Sequence, residues 1–286
     1  MRKKLSAFKL VLLISILILA LVVIYSGLQV LESTFLRPTV VDTPTESKTI
    51  VRDGIAYFPR QDITVVMVAG IDQTGAMESS GTYNNPGVAD MVTLMIFDRT
   101  QEQIDLITIN RDTMTEIPVL GMKGRPAGTT YGQLALAHTY GSGMSDSSVN
   151  LRNAVSDFLY GLQIDYYVTM NMDAIAIMND AVGGVTVHVS DDFSEIDPSI
   201  TMGEITLTGS QAVNFVRSRR GVGEGLNLNR MERHEEYMSG FLTSLDQTAE
   251  SSRSSLVSAF DEASPYMVTD CTTKTLASLL DRYGDY

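Results

Sequence analysis

Apolar residues along this chain occur first as one long run and then in shorter stretches whose period alternates. The first, Leu10–Leu28 (LVLLISILILALVVIYSGL), holds nineteen residues without a charge. A helix of that length spans roughly 28 Å at 1.5 Å per residue, close to the ~30 Å hydrocarbon core of a bilayer. Residues 29–60 keep no sustained period, are rich in Thr and contain Pro38 and Pro44, which reads as a partly extended stalk. From residue 61 the pattern becomes that of a folded domain. ITVVMVAGI (63–71) is a β-branched run expected of a strand buried on both faces. MVTLMIFD (91–98) and QIDLITI (103–109) predict two more strands joined by a short turn. After a loop rich in Gly, helices are predicted over 131–141 and 145–161, the second capped by Ser145 or Asp146 and stopped by Gly161. A strand (164–171), a helix (172–184), a strand (185–190) and a helix starting at Thr208 (208–219) follow. Another helix runs from about Leu228 to Leu245, with Met231, Met238, Phe241, Leu242 and Leu245 as its apolar stripe.

Strands alternating with helices predict an α/β fold, a three-layer α/β/α domain around a central mixed sheet, preceded by one N-terminal transmembrane helix. The expected organisation is a basic cytoplasmic tail (1–9), the anchor (10–28), an extracytoplasmic stalk (29–60), a folded α/β domain (61–250) and a C-terminal extension packing on it (251–286). Four cations and no anion precede the apolar run, so the N-terminus should face the cytoplasm and the domain the exterior. No clear A-x-A site follows the run, which favours an uncleaved anchor over a signal peptide.

Charge sharpens the picture. The chain of 286 residues has a formal net charge of −13. Beyond residue 28 there remain 17 basic against 34 acidic residues, a formal −17. That balance argues against general nucleic-acid binding. The single cysteine, Cys271, excludes an intramolecular disulfide framework. Against this acidic background, five of fifteen arginines, Arg217, Arg219, Arg220, Arg230 and Arg233, fall within seventeen residues. Arg230, Arg233, His234 and Tyr237 recur at helical spacing and share one face. Either this is a salt-bridged surface helix, for which Glu232, Glu235 and Glu236 are partners, or guanidinium forks here converge on phosphate oxygens. Two further places could carry chemistry. Asp72 and Asp90 lie at predicted strand ends bracketing one loop, where paired carboxylates could hold Mg²⁺ or simply cap turns. Arg111 and Asp112 follow the third strand, where Asp112 could orient an arginine, accept a proton or cap the loop. His138 and His188 read as packing residues, and no zinc spacing, P-loop or nucleophile elbow is present.

These pieces in this order (VVMVAGID, ADMVTLMIFD, LITINRDTMTEIP, LALAHTYG, GLQIDYYVTMNMDAI, AVGGVTV and LTGSQAVNFVRSR…NLNRMERHEEYM) resemble the LytR-CpsA-Psr family of membrane-anchored cell-wall enzymes. The resemblance spans roughly residues 62–247. It implies a Mg²⁺-dependent phosphotransferase that moves an anionic glycopolymer from a polyprenyl-pyrophosphate carrier to peptidoglycan. Its partners would be that lipid-linked glycopolymer, peptidoglycan and the bilayer, without nucleic acid. By motif, Asp72 and Asp90 correspond to the metal-associated carboxylates. Arg111, Arg217, Arg219 and Arg230 correspond to pyrophosphate-contacting arginines, and His234 stands where the family commonly has Gln and is expected to face the phosphates too. Arg111, Asp112 and Asp90 are the expected catalytic residues. The chain departs from the family at Val88-Ala89-Asp90, where R-S-D is usual, so one arginine is missing and Arg220 or Arg125 is a candidate substitute. Asn110 replaces a usual Pro, and YGQLALA replaces an expected Lys-x-Asn. The rival expectations are a Mg²⁺-dependent hydrolase of the same pyrophosphate and a non-catalytic tethered binder of anionic wall polymer.

Overall fold

The computed structural model of the chain describes residues 49–121, 124–218, 221–223 and 227–284, all within one compact unit, Asp42–Tyr286. The expected tail, the anchor at 10–28 and the stalk up to residue 48 lie outside the described residues. Among the described residues no helix is long and apolar enough to cross a membrane.

The chain enters through a small hairpin, β1 (Ile50–Arg52) and β2 (Ile55–Tyr57), and then forms β3 (Ile63–Ile71), β4 (Ala89–Asp98) and β5 (Gln103–Thr108). A ribbon of β6 (Met114–Leu120) and β7 (Pro126–Gln133) follows, closed by a 3-10 turn, Leu134–Thr139. Next come α1 (Ser145–Phe158), β8 (Tyr166–Met170), α2 (Met172–Ala181), the hairpin β9 (Val185–Val189) and β10 (Gly203–Leu207), and α3 (Gly209–Arg217). The chain ends with α4 (Asn227–Ala263), β11 (Met267–Thr269) and α5 (Thr273–Tyr283).

The central sheet runs β11-β8-β3-β4-β5. β3 pairs parallel with β8 and antiparallel with β4, so the sheet is mixed, as expected. β3 lies at its centre, which is why its sequence is an unbroken apolar run rather than an alternating one. Val65, Met67, Ala69 and Ile71 pack under α1 and the 3-10 turn. Val66 and Val68 face the opposite layer, where Tyr283 of α5 stacks on Phe97 at 4.8 Å and its hydroxyl meets Thr64 Oγ1 at 2.7 Å. α2 and the end of α4 complete that layer against β8 and β11. Helices therefore cover both faces, and the mixed α/β architecture stands.

Three local expectations fail. Residues 131–141 are not a helix: 131–133 finish β7 and only Leu134–Thr139 form a 3-10 turn. The Thr129-Thr130-Tyr131 run pairs with β6, and β-branched and aromatic residues prefer that environment. β6 contains Pro118 and was expected to be loop; its ribbon has only one partner strand, so Pro118 sits where no further ladder bond is needed. α4 continues well past Leu245 and changes direction at Ser252, whose backbone is non-helical (φ −156°, ψ 67°).

Candidate active site

Asp72 and Asp90 meet at the edge where β3 ends and β4 begins. Ile71 pairs with Ala89 and Gly70 with Met91, so Asp90 is the extra residue of a β-bulge. A bulge bends the strand and re-aims its side chain, which is how Asp90 leaves the packed face of the sheet. The Asp72 amide donates to the Val88 carbonyl at 3.3 Å and closes the base of the loop between the two carboxylates. That loop is pinned from behind. The Asn85 amide nitrogen donates to the His138 and Gly141 carbonyls and to Ser147 Oγ at 2.8–3.0 Å. The Gly87 amide donates to Asn85 Oδ1 at 2.8 Å, and a Cβ at Gly87 would meet that same atom at 2.9 Å. His138 Nδ1 lies 2.8 Å from the Gly87 carbonyl, which can only accept, so the ring carries its proton on Nδ1. Burial holds its pKa below the usual histidine value, leaving it neutral. His138 is thus a packing residue, as read from the sequence.

Three arginines reach these carboxylates from separate elements. Arg111, in the turn after β5, ion-pairs with Asp90 Oδ1 through Nη1. Arg230, in the first turn of α4, reaches Asp90 Oδ2 at 2.9 Å and is only 4% exposed. Arg217, the last residue of α3, places Nε 3.1 Å from Asp72 Oδ1. That pair is open to solvent, with side chains 54% and 43% exposed, whereas the Asp90 side chain is 17% exposed. Asp112 is the more accessible carboxylate beside them. Its Oδ1 receives Gln133 Nε2 at 3.1 Å and a long contact from Arg111 Nε at 3.4 Å. Its backbone amide donates to Asn110 Oδ1 at 2.9 Å, and that oxygen also accepts from Asn227 Nδ2 at 2.9 Å. Asn227 Oδ1 in turn receives Arg230 Nη2 at 2.9 Å. Two departures from the family pattern, Asn110 and the stretch containing Gln133, therefore form the surroundings of Asp112. Sequence reading noted both positions but assigned neither a role, because the contacts join residues more than twenty or more than a hundred positions apart.

The structure brings together Asp72, Asp90, Arg111, Asp112, Arg217 and Arg230. Arg219 and Arg220 lie outside the described residues. His234 is the correction. Its ring is buried, and Nε2 donates to the Val216 carbonyl at 2.9 Å, turned to the last turn of α3 rather than to the carboxylates. Arg233 acts beside it, donating to the carbonyls of Phe215 and Ser218 and pairing with Asp191 at 2.9 Å. The final carbonyls of a helix lack intrahelical donors. Arg233 and His234 supply them and so hold α3 at the point where it presents Arg217. The polar face expected on α4 exists, but from Arg230 to Tyr237 it is an internal interface. Burial, reinforced by the charges of Arg230 and Arg233, pulls the His234 pKa down to about 4. Val88 contributes a carbonyl where the family has a cation. Arg125 cannot compensate: it adjoins the Leu120–Pro126 end of the ribbon, whereas Asp112 adjoins the Met114–Gln133 end, about 20 Å away at ~3.3 Å per residue.

Three described cations face three carboxylates, so the described cluster is close to neutral. It can take up a strongly anionic group if the arginines exchange carboxylate for phosphate oxygens and further positive charge joins them. Among the described residues no group of three or more His, Cys, Asp or Glu side chains forms a metal cage. Asp72 and Asp90 are instead a two-carboxylate oxygen donor set. That fits Mg²⁺, which is commonly held by one or two carboxylates and completed by substrate phosphates and water.

Comparison with known proteins bears on this geometry. The model of the LytR_cpsA_psr family matches residues 39–285. A teichoic acid transferase of Bacillus subtilis (strain 168), TagU, named for transfer from polyisoprenyl-teichoic acid to peptidoglycan, is 27% identical over 191 residues, covering 67% of this chain and 55% of that protein. Its namesake in Halalkalibacterium halodurans is 30% identical over 175 residues, 61% of this chain and 51% of that one. The chain thus spans about half the length of these curated relatives. Among solved structures, gbs0355 of Streptococcus agalactiae superposes with a TM-score of 0.61 at 22% identity, covering 78% of this chain and 74% of that one. B. subtilis TagV does so with a TM-score of 0.58 at 20% identity, covering 79% and 81%. At these identities the likeness shows the fold.

Proposed function

The chain belongs to the LytR_cpsA_psr family, and on that footing we propose that it is a membrane-anchored, extracytoplasmic phosphotransferase that moves an anionic glycopolymer from a polyprenyl-pyrophosphate carrier to peptidoglycan. The observation that carries the reading is Asp90, aimed outward by a bulge and clasped by Arg111 and Arg230, beside the Asp72–Arg217 pair. A carboxylate held between two guanidinium groups marks a place built for oxyanions, and phosphate oxygens suit the same forks. The curated relatives' names supply the direction of transfer, and the uncharged run at 10–28 supplies the anchor and its location.

In this mechanism Arg111, Arg217 and Arg230 turn from their carboxylates to the pyrophosphate oxygens and stabilise the charge that develops on transfer, usually the largest catalytic contribution. Asp72 and Asp90 would hold Mg²⁺, which supplies further neutralisation of the phosphates. An acceptor hydroxyl of peptidoglycan attacks the phosphorus that bears the glycopolymer. The bond from that phosphorus to the bridging oxygen breaks, and polyprenyl phosphate leaves. Asp112 takes the hydroxyl proton. It is the most exposed carboxylate in direct contact with Arg111, and neither of its oxygens has an arginine contact as short as those on Asp90. The test is product analysis with a polyprenyl-pyrophosphate-linked glycan, Mg²⁺ and a peptidoglycan oligosaccharide. Wild-type protein should yield the phosphodiester conjugate, with free glycan phosphate a minor product. Arg217→Ala should lose turnover at least a hundredfold without losing its fold. A folded Arg217→Ala protein with unchanged turnover removes this site from the reaction, and glycan phosphate as the sole product makes the protein a hydrolase.

A further inference from the structure

The β6–β7 ribbon leaves the site at Asp112 and exposes one face to solvent. Met114 pairs with Gln133, Glu116 with Tyr131 and Pro118 with Thr129, so these six residues share one face. The alternate pairs, Thr115 with Gly132 and Ile117 with Thr130, form the other, and Ile117 is completely buried in the main core. Asn150 of α1 donates to the Pro118 carbonyl at 2.9 Å and fixes the underside. The outer face is thus a firm platform on a packed base. Tyr131 is 69% exposed on it and Met114 49% exposed. An amphipathic aromatic ring left open to water, flanked across the strand by a carboxylate and along it by an amide and a hydroxyl, has the chemistry to stack on a sugar ring while its neighbours hydrogen-bond it.

We infer that this face binds the glycan strand of the acceptor, with Tyr131 stacking on a pyranose ring and Glu116, Gln133 and Thr129 hydrogen-bonding its hydroxyl and amide groups. Resting on the proposed transfer, the assignment adds where its acceptor lies. Continuity with the site supports it: Gln133 belongs to the platform and donates to Asp112 at 3.1 Å. An acceptor hydroxyl must approach the group that takes its proton, and in this site that group is Asp112. Residues two apart on a strand lie about 6.6–6.8 Å apart, so Tyr131 stands one sugar unit beyond Gln133. Charge separates the acceptor from the donor glycopolymer. On the six-residue face Glu116 is the only acidic or basic side chain, and it disfavours a polymer with a charge on every repeat while accepting hydrogen bonds from the hydroxyl and amide groups of a more sparsely charged glycan.

The test measures binding directly, with no donor present, so it is independent of turnover. Purified full-length protein is titrated with soluble, uncrosslinked peptidoglycan glycan strands. Tyr131→Ala should weaken binding about tenfold, Tyr131→Phe should retain it, and Glu116→Ala should weaken it severalfold. In the transfer assay Tyr131→Ala should raise the acceptor KM about tenfold with little change in kcat. Equal binding by wild type and Tyr131→Ala overturns the assignment, as does a Phe variant that falls as far as the Ala variant. Loss of binding to a densely anionic glycopolymer fragment instead of the peptidoglycan strand would place the donor there and also overturn it. If transfer itself is never observed but strand binding depends on Tyr131, the proposed reaction fails and the platform stands.

Discussion

Replacing Asp90 by Ala separates a buried ion-pair node from an exposed one. Asp90 is the counter-charge of Arg230, which is 4% exposed, and of Arg111, whose side chain is 21% exposed. Removing one partner of a buried pair typically costs about 3–5 kcal/mol, because a charge stays behind without compensation. Water that reaches the 17% exposed Asp90 position offsets part of that, so about 2–4 kcal/mol is expected here. The same change at Asp72 breaks a pair in which both partners are about half exposed, and such pairs contribute about 0–1 kcal/mol. At roughly 2–4 °C per kcal/mol for a unit of this size, Asp90→Ala should melt about 4–16 °C below wild type and Asp72→Ala within about 4 °C of it. Differential scanning calorimetry at low salt makes the comparison, and the transfer assay should show both variants impaired. Asp90→Asn keeps an acceptor for Arg230 and should fall between them. Equal melting of the two Ala variants would refute the idea that Asp90 is the structural as well as the electrostatic centre of the cluster.

Two other expectations follow from the supports behind the site. His234 is neutral with a pKa near 4, below the usual 6.5, mainly because of burial. The unfolded chain takes up that proton near pH 6.5 and the folded chain only near pH 4, so the contribution is complete above pH 6.5 and is lost as pH falls towards 4. The window is worth about 3 kcal/mol at about 1.4 kcal/mol per pH unit. Buried His138, whose pKa is also lowered, shares the direction. His234→Gln, whose amide can still donate to Val216, should flatten the stability profile between pH 4 and 6.5 in urea titrations, and an unaltered acid limb would count against the burial argument. Asn85→Ala removes three buried donor contacts and the acceptor for Gly87. It should cost about 2–4 kcal/mol, since orphaned buried groups incur their full desolvation penalty, and should lower transfer by loosening the loop between Asp72 and Asp90; a melting temperature within about 2 °C of wild type argues against that role.

The sequence alone determined the layers. An unbroken apolar run can be stable only with both faces covered, so ITVVMVAGI could be placed at the centre of a sheet before any contact was known. The predicted helix start at Thr208 was correct, and the structure shows the local reason: a capping box of four residues in which the Thr208 amide donates to Gln211 Oε1 at 2.9 Å. Residue types and strand ends singled out Asp72, Asp90, Arg111, Arg217 and Arg230 as candidates, but left each open to a salt bridge or a turn cap, and the family resemblance implied the phosphate and metal roles. What local pattern could not carry was direction. Helical spacing put Arg230, Arg233 and His234 on one face, yet only the packing of α4 against α3 turned Arg230 to a carboxylate and Arg233 and His234 to backbone carbonyls. The bulge that re-aims Asp90 depends on a register between β3 and β4, and the surroundings of Asp112 join Asn110, Gln133 and Asn227 across the fold. Long-range pairing is set by which surfaces bury one another, and that is decided by the whole chain rather than by any stretch of it.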